Sequence, residues 1–199
     1  MPKVVDWESR RDEVLAATWR VISRDGLAGT TIRKIAKEAG YSPGVLSHYF
    51  SDKQDILGSA LVLSHRRVGE RMDRRADGLH GLAALRVVML EALPLDEQRL
   101  LEAEIEVSFW GRSLGNPGLA RLQNAELDRL WGRLRALLLD TVGLAELRPG
   151  LDVEQATHRL VAFIDGVSVE AVLYPSRVPP QRQLAMLDDL LAGFRSTGT

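Results

Sequence analysis

Residues 26–53 read GLAGTTIRKIAKEAGYSPGVLSHYFSDK, and this segment constrains the architecture more tightly than any other. Its first apolar stripe has the spacing of one helix face and comprises Ile32, Ile35, Ala36 and Ala39. Thr30 or Thr31 is placed to cap this helix and Gly40 to end it, because glycine adopts the left-handed conformation at little cost. The spacing predicts a helix of about two turns.

A second short helix is predicted to follow after a brief turn. Ser42 is placed to cap it, and Pro43 suits its first position, where the missing N–H costs nothing. Leu46 and Phe50 then point inward. The outward residues are Val45, Ser47, His48 and Tyr49. Two short helices joined by a glycine-containing turn have the geometry of a helix-turn-helix, whose second helix enters the DNA major groove. The alternative is an ordinary helical bundle without a DNA-binding role.

The fold class that the sequence predicts is all-α, with about nine helices. Apolar residues recur at helical spacing throughout, and no alternating run bounded by hairpin turns is found. A first helix is expected to end at Gly26. A fourth begins at Ser51, which has capping-box spacing with Gln54, or at Asp52, and runs to about Arg75. Further helices are predicted at about 79–92, 95–114, 117–142, 152–174 and 180–195.

This organisation predicts two domains. We expect a three-helix DNA-binding domain over residues 1–52 and a larger helical domain for ligand binding and dimerisation over residues 53–199. The composition is that of an ordinary globular protein, with 45% hydrophobic residues, a net charge of -1 and no cysteine. The longest run free of Asp, Glu, Lys and Arg, residues 39–51, is shorter than the roughly 18 apolar residues of a membrane span. A cytoplasmic protein without a membrane partner is expected.

Catalysis is not expected from this sequence. It contains no Gly-rich phosphate loop, no nucleophile elbow and no His-Glu-x-x-His motif. Glu102, Glu104 and Glu106 are close in sequence, but a helix places Glu104 roughly opposite the other two. We therefore predict no enzyme activity, no cofactor and no metal site.

The N-terminal segment resembles the signature of TetR-type transcriptional repressors. The matching positions are Gly26, Thr31-Ile32, Ile35-Ala36, Ala39-Gly40, Ser42, Gly44, Leu46, Tyr49-Phe50 and Lys53. The resemblance implies phosphate contacts from Thr31, Tyr49 and Lys53. It implies contacts with bases or their sugars from Arg33, Ser42, Pro43, Val45, Ser47 and His48, with Arg33 suited to guanine. Ser47 and Tyr41 depart from the usual tyrosine and valine, so one backbone contact of the family is not expected at position 47.

Other stretches are similar to the choline-responsive BetI branch of that family. They are Met1-Pro2-Lys3, residues 46–53, Phe109-Trp110, Asn116-Pro117, residues 121–123 and residues 163–166. The similarity implies that the C-terminal domain binds a small-molecule effector.

A candidate effector site surrounds Glu106, which stands three and four residues before Phe109 and Trp110. A helix places this carboxylate beside both rings, and negative charge and ring faces both attract an organic cation. Asp165 is a second carboxylate, in an apolar helix where it is costly unless it is paired. The remaining candidates are Trp131 and Phe163. Alternatively the aromatic residues are core, Glu106 pairs with an arginine, and Asp165 satisfies a buried donor at a dimer interface.

The last two predicted helices carry wide apolar stripes and are the expected dimer interface. The stripe residues are Leu160, Phe163, Ile164, Val167, Leu184, Leu187, Leu190, Leu191 and Phe194. Two such helices from each chain would form a four-helix bundle, although burial within one chain explains the same pattern. The sequence thus predicts a homodimeric repressor that binds palindromic double-stranded DNA and releases it when a small molecule binds. The rival is a helical DNA-binding or protein-interaction module without an effector.

Overall fold

The computed structural model describes residues 7–196, and over that range the chain is helical, as predicted. Its helices are α1 (Trp7–Gly29), α2 (Ile32–Ala39), α3 (Pro43–Leu46), α4 (Lys53–Ala76), α5 (Gly81–Ala92), α6 (Glu97–Ser113), α7 (Pro117–Gly143), α8 (Val153–Leu173) and α9 (Pro180–Ala192). The five helices predicted after Arg75 are all present, with ends within three residues of the prediction. Among the described residues, no helix is long and apolar enough to cross a membrane.

The chain divides into two compact units, Met1–His65 and Arg66–Thr199. The division falls inside α4, because Ile56, Ala60 and Leu63 from its first turns belong to the hydrophobic cluster of the N-terminal unit. This unit therefore includes the start of α4 as well as the three helices expected from the sequence.

The core of the N-terminal unit orients its short helices. Besides the three residues from α4, its buried members are Val14, Leu15, Ile35, Ala36, Leu46 and Phe50. Near the end of α1, Gly26 has φ 69° and ψ 167°, a conformation that favours glycine strongly. Gly26 thus interrupts the regular part of α1, as predicted. Thr30 Oγ1 then donates a hydrogen bond of 2.8 Å to the Gly26 carbonyl.

The caps of α2 and α3 follow from side chains that the sequence singles out. Thr31 is the N-cap of α2 and accepts a hydrogen bond of 3.3 Å from the Lys34 amide. Gly40 ends α2 in the left-handed conformation, at φ 75°. Ser42 and Pro43 begin α3 as predicted, but the Ser42 side chain makes no capping hydrogen bond. Packing, rather than a cap, must therefore hold this four-residue helix.

The start of α4 resolves an alternative that the sequence leaves open. Asp52 Oδ1 accepts a hydrogen bond of 2.9 Å from the Asp55 amide, so Asp52 caps the helix. The Ser51 amide and hydroxyl both donate to Asp55 Oδ2, at 2.9 and 3.4 Å. The side chain of Asp55, rather than that of Gln54, therefore accepts hydrogen bonds from the residue that precedes the cap.

The core of the C-terminal unit lies among α5, α7, α8 and α9. Its most deeply buried side chains include Leu85, Met89, Leu134, Leu138, Leu160 and Leu187. On α4, Arg71 donates to both carboxylate oxygens of Glu102, at 2.8 and 2.6 Å, and to Glu91 at 3.3 Å. These bonds join α4, α5 and α6 within this unit, and the two carboxylates raise the pKa of Arg71.

Candidate functional site

The residues predicted to contact DNA lie on the ends of α2, α3 and α4 in the N-terminal unit. Six of them have exposed side chains, namely Thr31, Arg33, Ser42, Pro43, Ser47 and His48. The other three are half-buried, namely Val45, Tyr49 and Lys53. Leu46 and Phe50 keep 1% and 3% of their surface exposed, so the alternation between inward and outward residues has the predicted phase. The contacts with bases, sugars and phosphates themselves stay predictions.

Arg33 differs from the basic residue beside it. Lys34 is engaged within the unit, since its Nζ lies 2.9 Å from the Asp25 carboxylate and donates to the Gly29 carbonyl at 2.9 Å. Arg33 makes no hydrogen bond or ion pair with any residue that the structure describes. A guanidinium that is exposed and uncommitted is available for a two-donor contact with a guanine edge.

The aromatic residues near α3 are held by the N-terminal turns of α1. The Tyr49 ring lies 4.4 Å from the Trp7 ring, measured between centroids. The Tyr41 hydroxyl donates a hydrogen bond to Glu13, and this carboxylate raises the pKa of Tyr41. Tyr41, which departs from the family pattern, therefore joins α1 to the turn between α2 and α3. Sequence reasoning missed this pairing because the two residues lie 28 positions apart.

Ser47, the second departure from the family pattern, makes a local bond. Its hydroxyl donates to the Gly44 carbonyl at 2.8 Å and remains exposed. A serine hydroxyl still offers lone pairs for further contacts. It does not extend as far as the tyrosine that is common at this position, and the loss of one backbone contact stays a prediction.

In the C-terminal unit, Glu106 on α6 is held by two donors. Trp110 Nε1 donates to Glu106 Oε1 at 3.0 Å, so the predicted neighbourhood of this carboxylate and this ring exists. Gln123 Nε2, from α7, donates to the same oxygen. Gln123 Oε1 is buried without a hydrogen-bond partner among the described residues. A carboxylate, an indole and an unsatisfied amide oxygen are thus gathered from two helices.

Phe109 is placed differently from Trp110. Its side chain has 0% exposure, whereas Trp110 is half-buried. A ring with no accessible surface presents no face to a ligand unless its packing changes. Of the two predicted aromatic contacts, Trp110 is the one that the structure leaves accessible beside Glu106.

Asp165 brings a second carboxylate to this region from α8, which packs against α6. Burial and the negative charge of Glu106 raise the pKa of Asp165 to about 6. Asp165 accepts no hydrogen bond from any residue that the structure describes. A half-buried carboxylate without such a bond is costly when ionised, and a bound cation would offset that cost.

The two other predicted ligand residues lie against the main core of this unit. Trp131 and Phe163 are half-buried and pack on the core cluster. The Trp131 ring meets His158 at 4.1 Å between centroids, edge to face. These contacts account for both residues structurally, and a ligand role for them stays a prediction.

Glu126 is a residue that the sequence analysis did not single out. It keeps 7% of its surface exposed and pairs with Arg129, one helical turn further along α7. It follows Gln123 by three positions, so a helix places both near one face. The available signal was its position in the otherwise apolar stripe formed by Leu119, Leu122, Leu130 and Leu134.

The expected dimer residues are mostly buried within a single chain. Six of the nine are buried in the core of a single chain, with at most 8% exposure, namely Leu160, Ile164, Val167, Leu187, Leu191 and Phe194. The others are half-buried, namely Phe163, Leu184 and Leu190. Burial within one chain therefore explains the wide stripes. The exposed residues of α8 include Ala162, Gly166 and Leu173. The homodimer and its contact residues stay predictions.

Comparison with family models assigns both units. The family described as bacterial regulatory proteins of the tetR family matches residues 14–60. The family described as the C-terminal domain of BetI-type transcriptional repressors matches residues 81–196. The matched families are regulators, which confirms the prediction of a regulator rather than an enzyme.

Individual relatives agree with this assignment. The HTH-type transcriptional regulator PksA of Bacillus subtilis (strain 168) is 34% identical over 185 residues, covering 92% of this chain and 88% of the relative. The HTH-type transcriptional regulator BetI of Burkholderia lata is 30% identical over 202 residues, covering 96% of both chains. A putative regulator from Saccharomonospora viridis, solved in complex with choline, has a TM-score of 0.85 at 23% identity, covering 93% of this chain and 96% of that chain. This last likeness shows the fold.

Proposed function

Because the chain belongs to the TetR family of transcriptional regulators and has a BetI-type C-terminal domain, we propose that it is a homodimeric repressor released from DNA by a small cation. DNA binding follows from the family, and the remaining steps are our proposal. The main support for this DNA-binding surface is which residues of α3 and of the turn after it face inward and which face outward. Buried Leu46 and Phe50 turn Ser47 and His48 outward on a rigid support.

Each part of this surface has a proposed role. Arg33 reads a base edge because its guanidinium is exposed and uncommitted. Thr31, Tyr49 and Lys53 bind phosphates and set the register, while Ser47 and His48 face the bases. A dimer presents two copies of α3 to two half-sites, so the operator is expected to be a pseudo-palindrome with half-sites about 34 Å apart.

Genome-wide recovery of bound DNA followed by footprinting tests this proposal. The expected result is a symmetric footprint over two half-sites, bound by two chains. Light scattering of the complex measures its stoichiometry. A single unsymmetrical half-site bound by one chain would overturn the dimeric repressor. The genes beside the recovered sites also indicate which molecules are worth testing as effectors.

The effector is proposed to be an amine or a quaternary ammonium compound. Support comes from Glu106 beside the Trp110 ring, and from the half-buried Asp165, whose charge is favoured by a cation. The choline bound by the Saccharomonospora viridis protein makes choline a reasonable first compound. Calorimetry with quaternary amines, fatty acids and planar aromatic compounds tests the class. Tight binding of a neutral compound while every amine fails would overturn it.

Effector and operator are proposed to compete through the conformation of the dimer. Binding free energies are reciprocal, so an effector that weakens operator binding by a given factor is itself bound more weakly, by the same factor, when operator is present. Effector titrations with and without a saturating operator duplex measure both factors. Equal effector affinity in the two titrations would leave the protein as a DNA-binding regulator that this ligand does not control.

A further inference from the structure

Arg11 of α1 joins three parts of the N-terminal unit through one guanidinium group. Its Nη1 donates to the Tyr49 carbonyl at 3.0 Å, and its Nη2 donates to Ser59 Oγ at 2.7 Å. The same group lies 4.5 Å from the centroid of the Phe50 ring and 3.8 Å from the Asp55 carboxylate. One side chain therefore connects α1 with the residues that follow α3 and with the first turns of α4.

Asp55 extends this connection to the next residue of the chain. It accepts hydrogen bonds from Ser59 Oγ at 3.3 Å and from the Ser51 amide at 2.9 Å. The carbonyl of Tyr49, the ring of Phe50 and the amide of Ser51 are thus each held by Arg11 or by its ion-pair partner. These are three consecutive residues, and they lie between the proposed base contacts and the proposed phosphate contact Lys53.

The end of α3 needs such support. The amides of Tyr49 and Phe50 both donate to the Leu46 carbonyl, at 2.9 Å each, so the hydrogen bonds of this short helix stop there. The Tyr49 carbonyl lies three residues beyond the last residue of α3, so the hydrogen bonds of that helix do not reach it. Arg11 supplies a charged donor to the Tyr49 carbonyl, and charge-assisted hydrogen bonds are roughly twice as strong as neutral ones.

We propose that Arg11 is a positioning residue for DNA recognition, which holds residues 47–53 in the one orientation that presents the base contacts and phosphate contacts together. The inference rests on the proposed DNA contacts of Ser47, His48, Tyr49 and Lys53. Arg11 acts through residues 49–51, because both terminal nitrogens of its guanidinium are engaged within the unit. Arginine is required at this position because its planar guanidinium donates to two acceptors at once, whereas lysine has a single compact ammonium group.

The test is an anisotropy titration of the full-length protein with its operator duplex and with a scrambled duplex, repeated over a range of salt concentrations. Arg11→Lys and Arg11→Gln are each expected to weaken operator binding about 10- to 100-fold. The slope of log affinity against log salt should change equally in the two variants, because any change comes from displaced phosphate contacts at residues 49–53 and not from the charge at position 11. Arg11→Lys keeps the charge, so equal losses in the two variants would show that geometry, rather than charge, is responsible.

Arg10→Ala is the matched control. Arg10 precedes Arg11 on the same helix, and its guanidinium lies 5.7 Å from the centroid of the Tyr41 ring. Its replacement removes a positive charge without removing a hydrogen bond from residues 49–51, so operator affinity should stay within about twofold. An equal loss in Arg10→Ala would overturn the inference.

Three other results would overturn it as well. They are unchanged affinity in Arg11→Gln, full rescue by Arg11→Lys, and a salt slope that falls in Arg11→Gln but not in Arg11→Lys, which would indicate a direct phosphate contact through the charge. If circular dichroism shows that the Arg11 variants do not fold, Ser59→Ala provides the test of the proposal instead. That variant removes one acceptor and should weaken operator binding less, but in the same direction. A wild-type protein that binds no DNA would instead refute the proposed function, and this inference with it.

Discussion

The two units differ in how they assemble a candidate site. The N-terminal unit draws its proposed DNA contacts from one continuous segment, residues 31–53, whose inward positions are apolar. The C-terminal unit brings together Glu106, Gln123 and Asp165 from three different helices, and each side chain is half-buried. Local backbone geometry determines the first site, whereas tertiary packing determines the second. We therefore expect mutations to act through local helix geometry in the N-terminal unit and through the packing between helices in the C-terminal unit.

The largest expected effect is the loss of the support beneath α3. Leu46 keeps 1% of its surface exposed, so Leu46→Ala should lower the free energy of unfolding of the N-terminal unit by about 2 to 5 kcal/mol. Operator affinity should fall as well, because residues 43–50 lose their packing. Amide hydrogen exchange measures the first effect, and anisotropy measures the second.

A matched leucine provides the control for this experiment. Leu114 is 82% exposed, so Leu114→Ala removes the same atoms without leaving a cavity and should change stability by less than about 0.5 kcal/mol. Unchanged operator affinity in Leu46→Ala would contradict the view that core packing holds the DNA-binding surface.

Loss of individual DNA contacts comes next in size. Arg33→Ala should relax the preference at one base pair by about 1 to 3 kcal/mol, because a base-specific pair of hydrogen bonds is lost. Lys53→Ala should weaken binding to all sequences alike and should reduce the salt slope by about one unit. A binding screen over all single-base variants of the operator separates these outcomes. Identical specificity profiles for Arg33→Ala and wild type would remove Arg33 from the readout.

The C-terminal site should reveal itself through pH. The pKa of Asp165 is raised to about 6 by burial and by Glu106. Between about pH 4 and pH 6 the folded state retains a proton that the unfolded state releases, so stability falls as pH rises and then levels off. Asp165→Asn has no carboxyl proton at this position, so its stability should not fall in this way as pH rises. At pH 8 it should be more stable than wild type by about 1 to 2 kcal/mol, less than in a fully buried site because solvent screens the charge.

Asp188→Asn is a control of opposite sign. Hydrogen bonds from Arg86 lower the pKa of Asp188, so its carboxylate stabilises the fold above the ordinary pKa of an aspartate and loses this effect as pH falls. Asp188→Asn should therefore be less stable than wild type at pH 8. Denaturant titrations at pH 4 and pH 8 measure both variants. A destabilised Asp165→Asn at pH 8 would show that the Asp165 carboxylate has a compensating partner.

The sequence was sufficient to predict the helices of the N-terminal unit because their signals are local. The caps at Thr31 and Gly40 and the inward positions Leu46 and Phe50 depend on neighbours within a few residues. The contacts of Arg11 with Tyr49 and Ser59 span 38 and 48 positions, and no pattern within one helix indicates them. Periodicity therefore predicted which face is buried, but not which side chains fix the end of α3.

In the C-terminal unit, sequence reasoning predicted the helices and one neighbouring pair of side chains in the candidate site. The Glu106–Trp110 pair was predictable because four residues form one helical turn. The approach of Gln123 and Asp165 was not, since it depends on how α6, α7 and α8 pack. The apolar stripes of α8 and α9 predicted either a dimer interface or burial within one chain, and most of these residues pack within one chain. An apolar stripe shows that a face is covered, but it does not identify what covers it.

The smallest expected effect separates two tryptophans of the C-terminal unit. Trp110→Ala deletes a ring beside Glu106 and should weaken binding of a choline-like cation by about 0.5 to 2 kcal/mol. Trp131→Ala should cost less, because that ring packs edge to face on His158. Trp110→Phe keeps a ring but removes the indole N–H that orients Glu106, so an intermediate affinity would assign part of the effect to carboxylate orientation. Calorimetry measures all three variants. A greater loss in Trp131→Ala would place the cation elsewhere. The Glu106–Trp110 pair, although one helical turn is enough to predict it, would then not be the effector site.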